Sequence, residues 1–294
     1  MRYDLCLPWY WEYDDVFASM VERTCSEEGI SLWQIKPDNL LESVTALYKG
    51  DITFTTLLDR GQGEPTFDPI PRWAMEFGAQ RINPAEVSAW SEDKATMHLE
   101  LISAGLHTPY TILLAPFLEQ PVIPQIDLTS LGKKFVIKPS NGGGGEGVIV
   151  GATRMEQILQ ARMEFPEQKY LIQAFVTPQI IKGNPAWFRV FYANGETYPC
   201  WWMTDSHVYA NVTAEEESQF GLHKLREITK RIASICKLDW FSTEIALADE
   251  FVVVDYVNDE IDTRVQSRAV DGVPDEVMNN IARQLVNIAK ANSC

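Results

Sequence analysis

The run Asn141-Gly142-Gly143-Gly144-Gly145-Glu146-Gly147, set between two apolar segments, constrains this chain more than any other stretch. Residues without side chains cannot pack a core, so the run has to be a loop. Its flanks, Lys134 to Pro139 and Val148 to Val150, read as the strands it joins. Successive backbone N–H groups in such a loop can close over a polyphosphate; a flexible hairpin tip is the competing reading. A Walker loop is excluded, because no Gly-Lys-Ser/Thr follows and the next element is a strand. The same strand excludes the Rossmann fingerprint. Lys138 ends the apolar segment Phe135-Val136-Ile137 just before the glycines. It is either a solvated strand end or a point charge aimed at phosphate oxygens, and its place beside the loop favours phosphate.

Around this loop the pattern of apolar residues lays out the chain. Tyr3 to Leu7, Ser31 to Ile35 and Ile52 to Leu58 read as strands, alternating with helices over Asp14 to Glu27 and Asp38 to Tyr48. That alternation predicts a wound parallel sheet. Gly61 to Pro71 is rich in Gly and Pro and reads as a surface loop. Asn83-Pro84-Ala85-Glu86 predicts a helix start with Asn83 as cap. A second helix from about Glu92 to the Gly105 stop carries Ala95, Leu99 and Ile102 on one face. Further strands cover Leu171 to Val176 and Trp187 to Tyr192, the latter turning at Asn194-Gly195 into Thr197 to Trp202. Thr213-Ala214-Glu215-Glu216 is a capping box before a stretch presenting Leu222, Leu225, Ile228, Ile232 and Ile235. A hairpin over Thr243 to Leu247 and Phe251 to Val257 precedes a last helix from Pro274, with Val277, Ile281, Leu285 and Ile288 on one face. The chain is therefore α/β followed by α+β, with units at residues 1–80, 81–180 and 181–294.

A net charge of −16 repels phosphate backbones and anionic lipid surfaces, so neither nucleic acid nor membrane is an expected partner. No apolar stretch approaches the roughly 18 residues of a membrane span. Cys6, Cys25, Cys200, Cys236 and Cys294 are widely spaced and odd in number, which reads as reduced thiols in a cytoplasmic protein.

Downstream lie acids that can carry chemistry. Glu244 sits among Phe241, Ile245 and Leu247, and a carboxylate buried there needs a partner. Asp255, Asn258, Asp259, Glu260 and Asp262 follow at one end of the hairpin. Oxygen ligands gathered this way suit Mg2+, which takes one or two carboxylates plus nucleotide phosphates; a solvated acidic loop is the plainer alternative. Arg189 is a cation inside the aromatic strand Trp187-Phe188-Arg189-Val190-Phe191, open to an ion pair or to a phosphate. The four histidines show no dyad spacing, and no nucleophile motif is present.

Together these pieces resemble the ATP-grasp superfamily, whose fold includes D-alanine–D-alanine ligase and glutathione synthetase. The likeness runs over nearly the whole chain. It rests on Ile82-Asn83-Pro84 through Asp93-Lys94 to Thr108-Pro109-Tyr110-Thr111, on Phe135 to Pro139 with the glycine loop, and on Glu244 with Asp255 and Asn258. The resemblance implies an N-terminal wound-sheet domain and two α+β subdomains sandwiching ATP. It also implies Lys138 and Lys94 on the phosphates and Gly142, Gly143, Gly144 and Gly145 as a lid. Gln173, Ala174 and Val176 correspond to the backbone hinge under adenine, Arg189 faces the γ-phosphate, and Glu244, Asp255 and Asn258 bind magnesium. The family's acids are replaced by Ala174 in the hinge, by Trp187 and by Tyr256. Asp255 stands one place before the usual acid, so in a straight strand it faces away from Asn258. A bulge or the strand end has to correct this, or Asp259, Glu260 or Asp262 substitutes.

The implied activity is an ATP-dependent ligase acting on a small-molecule carboxylate and an amine, with Arg264 and Arg268 as candidates for gripping the carboxylate. A phosphotransferase and a non-catalytic ATP- or ADP-binding module remain open on the same scaffold, as does a homodimer.

Overall fold

The protein is described from a computed structural model over residues 1–259 and 261–293; Glu260 and Cys294 lie outside the described residues. Its first strand, β1 (Arg2–Pro8), buries Leu5, Cys6 and Leu7 consecutively, as a strand covered on both faces must. Around it run α1 (Asp15–Glu28), β2 (Leu32–Ile35), α2 (Leu40–Lys49), β3 (Thr53–Leu58), α3 (Pro69–Phe77) and β4 (Gln80–Ile82). The strands are all parallel, in the order β2-β1-β3-β4. The end of the expected surface loop is instead α3. Pro69 stands in its first turn, where a missing N–H costs nothing, and Phe67 and Ile70 are buried.

The second unit holds α4 (Ala85–Glu92), α5 (Lys94–Ser103), β5 (Thr111–Leu114), β6 (Phe135–Pro139), β7 (Ile149–Ala152), α6 (Met155–Glu164) and β8 (Tyr170–Ala174). Its sheet is antiparallel, ordered β5-β8-β6-β7, and the glycine run joins β6 to β7. On α5 the buried face is Ala95, Met97, His98 and Leu101, while Leu99 and Ile102 are exposed, against the expected stripe. A polar residue causes the difference: His98 is drawn inward by a hydrogen bond to Tyr256.

A two-residue pair, β9 (Ile180–Ile181) and β10 (Asn184–Pro185), leads into the third sheet. There follow β11 (Trp187–Ala193), β12 (Glu196–Met203), β13 (Val208–Asn211), α7 (Ala214–Phe220), α8 (His223–Cys236), β14 (Trp240–Leu247), β15 (Phe251–Asn258) and α9 (Asp275–Asn292). The capping box at Thr213 and Glu216 forms as expected, but Gly221, at φ 66°, divides the following helical stretch in two. The sheet is ordered β13-β12-β11-β14-β15, antiparallel throughout. Along β11, Phe188 and Val190 join the core beneath α5 and α8, while Phe191 and Ala193 face the opposite core. Arg189 lies on the second face.

That opposite core is shared with the N-terminal sheet. α9 returns to pack Ile281, Leu285 and Val286 with Leu5, Phe17 and Val21. Asn83 reinforces the junction rather than capping α4, whose cap position is taken by Pro84. Its Nδ2 donates to the Trp240 carbonyl at 2.6 Å and to Asp259, and its Oδ1 accepts from the Asp239 and Trp240 amides at 2.8 and 3.3 Å. Cys6, Cys25, Cys200 and Cys236 are buried free thiols. No helix of the described residues is long and apolar enough to cross a membrane.

Asn83→Ala removes the partner of two backbone amides and one carbonyl that stay out of water. The expected result is a loss of about 3 kcal/mol in unfolding free energy, read from urea midpoints at unchanged m-value.

Candidate functional site

A cavity of about 1160 Å3 opens between the glycine loop with the start of α5 on one side and the face of β11, β14 and β15 on the other. The loop wall is set by short-range chemistry. Asp93 caps α5 by accepting from the Thr96 amide at 2.9 Å, and it also accepts from Ser140 at 2.7 Å and Lys169 at 2.8 Å. These bonds fix the strand end that releases the glycine loop. Lys94 Nζ donates to the Gly142 carbonyl at 2.7 Å, tethering the loop from inside the cavity. At the far end, Gly147 has φ 69° and a Cβ there would meet the Phe165 ring at 2.7 Å, so only glycine closes the loop onto β7.

The sheet wall depends on an irregular pairing of β14 with β15, whose register shifts twice. Ser242 pairs with Asn258 and Glu244 with Asp255, so two steps along β14 match three along β15. The extra residue is a β-bulge, and it turns Asp255 and Asn258 into the same cavity as Glu244. The bulge anticipated from the sequence is therefore present, while Tyr256 points into the core beneath. Glu244 accepts from the Trp187 indole at 3.1 Å and lies 3.6 Å from Arg189. Trp187 thus serves Glu244 from the place where the related proteins' acid was expected. Asp255 lies 3.9 Å from Lys138, whose Nζ donates to the Val254 carbonyl at 3.0 Å.

The two carboxyls are pushed apart in acidity. Burial, with Asp255 adding repulsion, raises Glu244 above the usual carboxylate range although Arg189 opposes it. Burial also works against the Asp255 charge, but Lys138, Lys94 and Arg189 outweigh it and hold that carboxyl below the usual range. Lys138 is itself lowered by burial and by Lys94. Arg189 keeps its charge despite burial because Glu244 and Tyr209 face it, and its guanidinium lies 5.3 Å from the Trp202 ring centroid.

Lys94, Gly142, Gly143, Gly144, Gly145, Arg189, Glu244, Asp255, Asn258 and Arg264 all line this cavity. Lys138 stands behind Asp255 rather than in the lining. Gln173, Ala174 and Val176 do not line it either. The Gln173 amide turns inward to Thr111 at 3.0 Å and Tyr256 at 2.6 Å, and the Ala174 amide is taken by the Tyr110 carbonyl at 2.8 Å. Arg264 is held by Asp262 at 2.6 Å and Asp271 at 3.0 Å; Arg268 is exposed outside the cavity. Asp262 lines the cavity and Asp259 is buried at its hydrogen bond with Asn83, while Glu260 lies outside the described residues. Sequence reading gave no site role to Asp93, Asp271 or Tyr209, while Trp202 lines the cavity as the cleft wall its aromatic cluster suggested; of the three, only Asp93 carried a local signal, as an acid directly before a helix.

Two carboxylates and an amide oxygen on one wall can hold a hard cation, leaving its remaining positions to oxygens from a ligand. Among the described residues no group of three or more His, Cys, Asp or Glu is placed to hold a metal ion by itself. The opposite wall offers Lys94 and exposed loop amides to an anion.

Solved structures share this fold over nearly the whole chain. D-alanine–D-alanine ligase from Bacillus anthracis, complexed with ATP, aligns over 100% of this chain and 97% of its own at TM-score 0.68 and 14% identity. A RimK domain ATP-grasp protein from Sphaerobacter thermophilus aligns over 97% and 100% at TM-score 0.62 and 18% identity. The ATP-grasp ligase PsnB, complexed with minimal precursor, Mg and ADP, aligns over 98% of both chains at TM-score 0.62 and 12% identity. This chain has the ATP-grasp fold. No protein-family model matches its sequence, and no curated protein does. The likeness to these ATP-grasp structures is thus one of architecture, with the glycine loop and the β14–β15 hairpin facing each other across the cavity.

Beneath that cavity the ATP-grasp core holds a polar chain. Gln173 donates to the Tyr256 oxygen, so the Tyr256 hydroxyl donates to His98 Nδ1 at 2.6 Å. Burial and the Lys138 charge lower His98 from 6.5 to about 4. Unfolding releases this restraint, so between those values the unfolded chain binds a proton that the folded chain does not. Stability is expected to be fully present above pH 6.5 and to fall by about 3 kcal/mol as the pH drops to 4. Denaturation of His98→Gln should show a shallower slope over that window.

Proposed function

We propose that this ATP-grasp chain is a Mg-ATP-dependent ligase joining a small-molecule carboxylate to an amine through an acyl phosphate. The observation that carries this reading is the bulge that sets Glu244, Asp255 and Asn258 on one wall, facing Lys94 and the glycine loop. The solved ATP-grasp structures with ATP, or with Mg and ADP, support a nucleotide in the same place.

In this reading a substrate carboxylate oxygen attacks the γ-phosphorus and ADP leaves with the electron pair. The amine then attacks the acyl carbon, a C–N bond forms, the C–O bond to phosphorus breaks, and phosphate departs while the nitrogen loses its proton. Arg189 lies on the wall where charge builds on the transferred phosphoryl group, and its positive charge is fixed in place by Glu244, Tyr209 and Trp202. Lys94 and the loop amides hold the phosphate tail. Lys138 keeps Asp255 ionised from behind. Magnesium would be held by Glu244, Asp255 and Asn258 and would offset charge on the phosphate oxygens. Arg264 is the cavity's candidate for the substrate carboxylate.

No protein nucleophile is required, and burial raises the thiols of Cys25, Cys200 and Cys236 to about 12. Buried free thiols accord with a cytoplasmic setting. A phosphotransferase would release ADP without phosphate, and a non-catalytic module would release neither, so product analysis separates these readings.

Mg-ATP at one hundred times Kd should stabilise the fold by about 2.7 kcal/mol, seen as a rise in Tm. Absence of any shift would count against a nucleotide site. Because Glu244 is already disfavoured as an anion, Glu244→Gln should leave apo stability nearly unchanged. Its magnesium-dependent turnover should fall at least about tenfold. A destabilised variant with a normal magnesium response would instead make Glu244 a structural partner of Arg189.

A further inference from the structure

Each strand of the sheet β13-β12-β11-β14-β15 contributes a side chain to the larger cavity: Tyr209, Trp202, Arg189, Glu244 and Asp255, in that order. The row has two unlike ends. At the β15 edge, Lys94 and Lys138 act on Asp255, and the glycine loop lies opposite. At the β13 edge the strands offer rings instead, with Trp202 and Tyr209 as cross-strand partners whose centroids are 4.4 Å apart. Arg189 stands between the two ends, cross-strand to Glu244 and 5.3 Å from the Trp202 centroid. Ile261 and Asp262 also line a smaller cavity of about 410 Å3 beyond the ends of β1 and β3, where Asp14 and Asp262 are already paired with Arg60 and Arg264.

The turn from β12 to β13 adds a third ring. His207 is exposed and lines the larger cavity, and its imidazole stacks on Trp202 with 5.2 Å between centroids and 19° between planes. Its backbone is left-handed, at φ 57°, and its N–H donates to the Met203 carbonyl at 2.7 Å. Glycine takes that conformation freely and histidine does not, so the turn alone gives no reason for a ring here. Tyr209 and Trp202 are buried and His207 is exposed, so the stack runs outward from the core into the cavity. With one face of the imidazole on Trp202, the other is left for a planar group.

We infer that His207, backed by Trp202, selects the carboxylate substrate: an acid whose flat aromatic body stacks on the imidazole while its carboxylate lies by the phosphoryl group at Arg189. The inference rests on the ligase reading. In that reaction the attacking and leaving oxygens stand roughly in line through the transferred phosphorus. Phosphates held by Lys94 and the loop put the leaving oxygen toward the β15 edge, so the attacking carboxylate comes from the β13 edge. An acid with its oxygen near Arg189 leaves the rest of its body beside the rings, because Arg189 and His207 are neighbours of the same indole. Stacked rings favour a flat aromatic partner over a saturated one of similar size.

Calorimetry on the full chain, with Mg and a non-hydrolysable ATP, tests this with two acids of similar outline, phenylacetate and cyclohexylacetate. Phenylacetate should bind about fivefold more tightly, a factor within what one stacked pair of rings supplies. His207→Gly suits the left-handed backbone and should erase that preference while nucleotide affinity stays unchanged. His207→Phe restores a ring and should keep the preference. With nucleotide bound, equal binding of the two acids or binding of neither overturns this inference and leaves the ligase reading standing. So does a preference that survives His207→Gly or is lost in both variants. Failure of the nucleotide to bind removes the ligase reading. Phenylacetate preference that is then still lost in His207→Gly keeps the stacking site, and its absence overturns both.

Discussion

Glu244 and Asp255 stand opposite each other in register, both half-buried on the wall of one cavity. Like charges so placed destabilise a wall unless cations stand behind them. Much of the surrounding structure follows from that requirement. Lys138 accepts burial at the end of β6 because Asp255 and the Val254 carbonyl hold it. Arg189 occupies an otherwise apolar strand because Glu244 is its cross-strand neighbour. Tyr209 and Trp202 then exist as walls for the guanidinium. The bulge in β15 makes the pairing useful, since it adds Asn258 to the same face. Cations and carboxyls face each other along this wall, and a ligand able to compete for either member can enter it.

What the sequence revealed was local, and what it concealed was distant. The alternation of strands and helices, the glycine loop, the hairpins and the Thr213 capping box rest on neighbours a few residues apart, and all of them formed. The need for a bulge between Asp255 and Asn258 was also readable, because strand periodicity is a local rule. The face of α5 was not, because His98 is buried by Tyr256, 158 positions away. Asn83 looked like a helix cap for the same reason: its carbonyl and amide partners lie 157 residues downstream at Trp240. A polar side chain in a core is placed by partners that no window of sequence contains. The Gln173 side chain is another such case, turned inward to Thr111 and to Tyr256, 62 and 83 positions away.

The segment after β15 connects all of these parts. Asp259 meets Asn83 from the junction, Ile261 and Asp262 separate two cavities, Thr263 holds Asp14, and Arg264 is clamped by acids on both sides. The bridge between Val265 and Val273 then closes the turn, and Gly272 fits because it has no Cβ, which would lie 2.4 Å from the Val265 carbonyl carbon. Five of the described positions here thus touch the N-terminal sheet, the larger cavity and the loop beyond it. Movement of this segment would be felt at both cavities at once.

The return of α9 to the N-terminal sheet sets an order of events during synthesis. Leu5, Phe17 and Val21 leave the ribosome well before Ile281, Leu285 and Val286, which complete their core and lie far downstream. At translation rates of about 5–20 residues per second, the finished β-α units wait roughly 10–40 s for their final layer. Through that interval the nascent chain carries an uncovered apolar sheet face. This sheet closes only once a helix far downstream has been made.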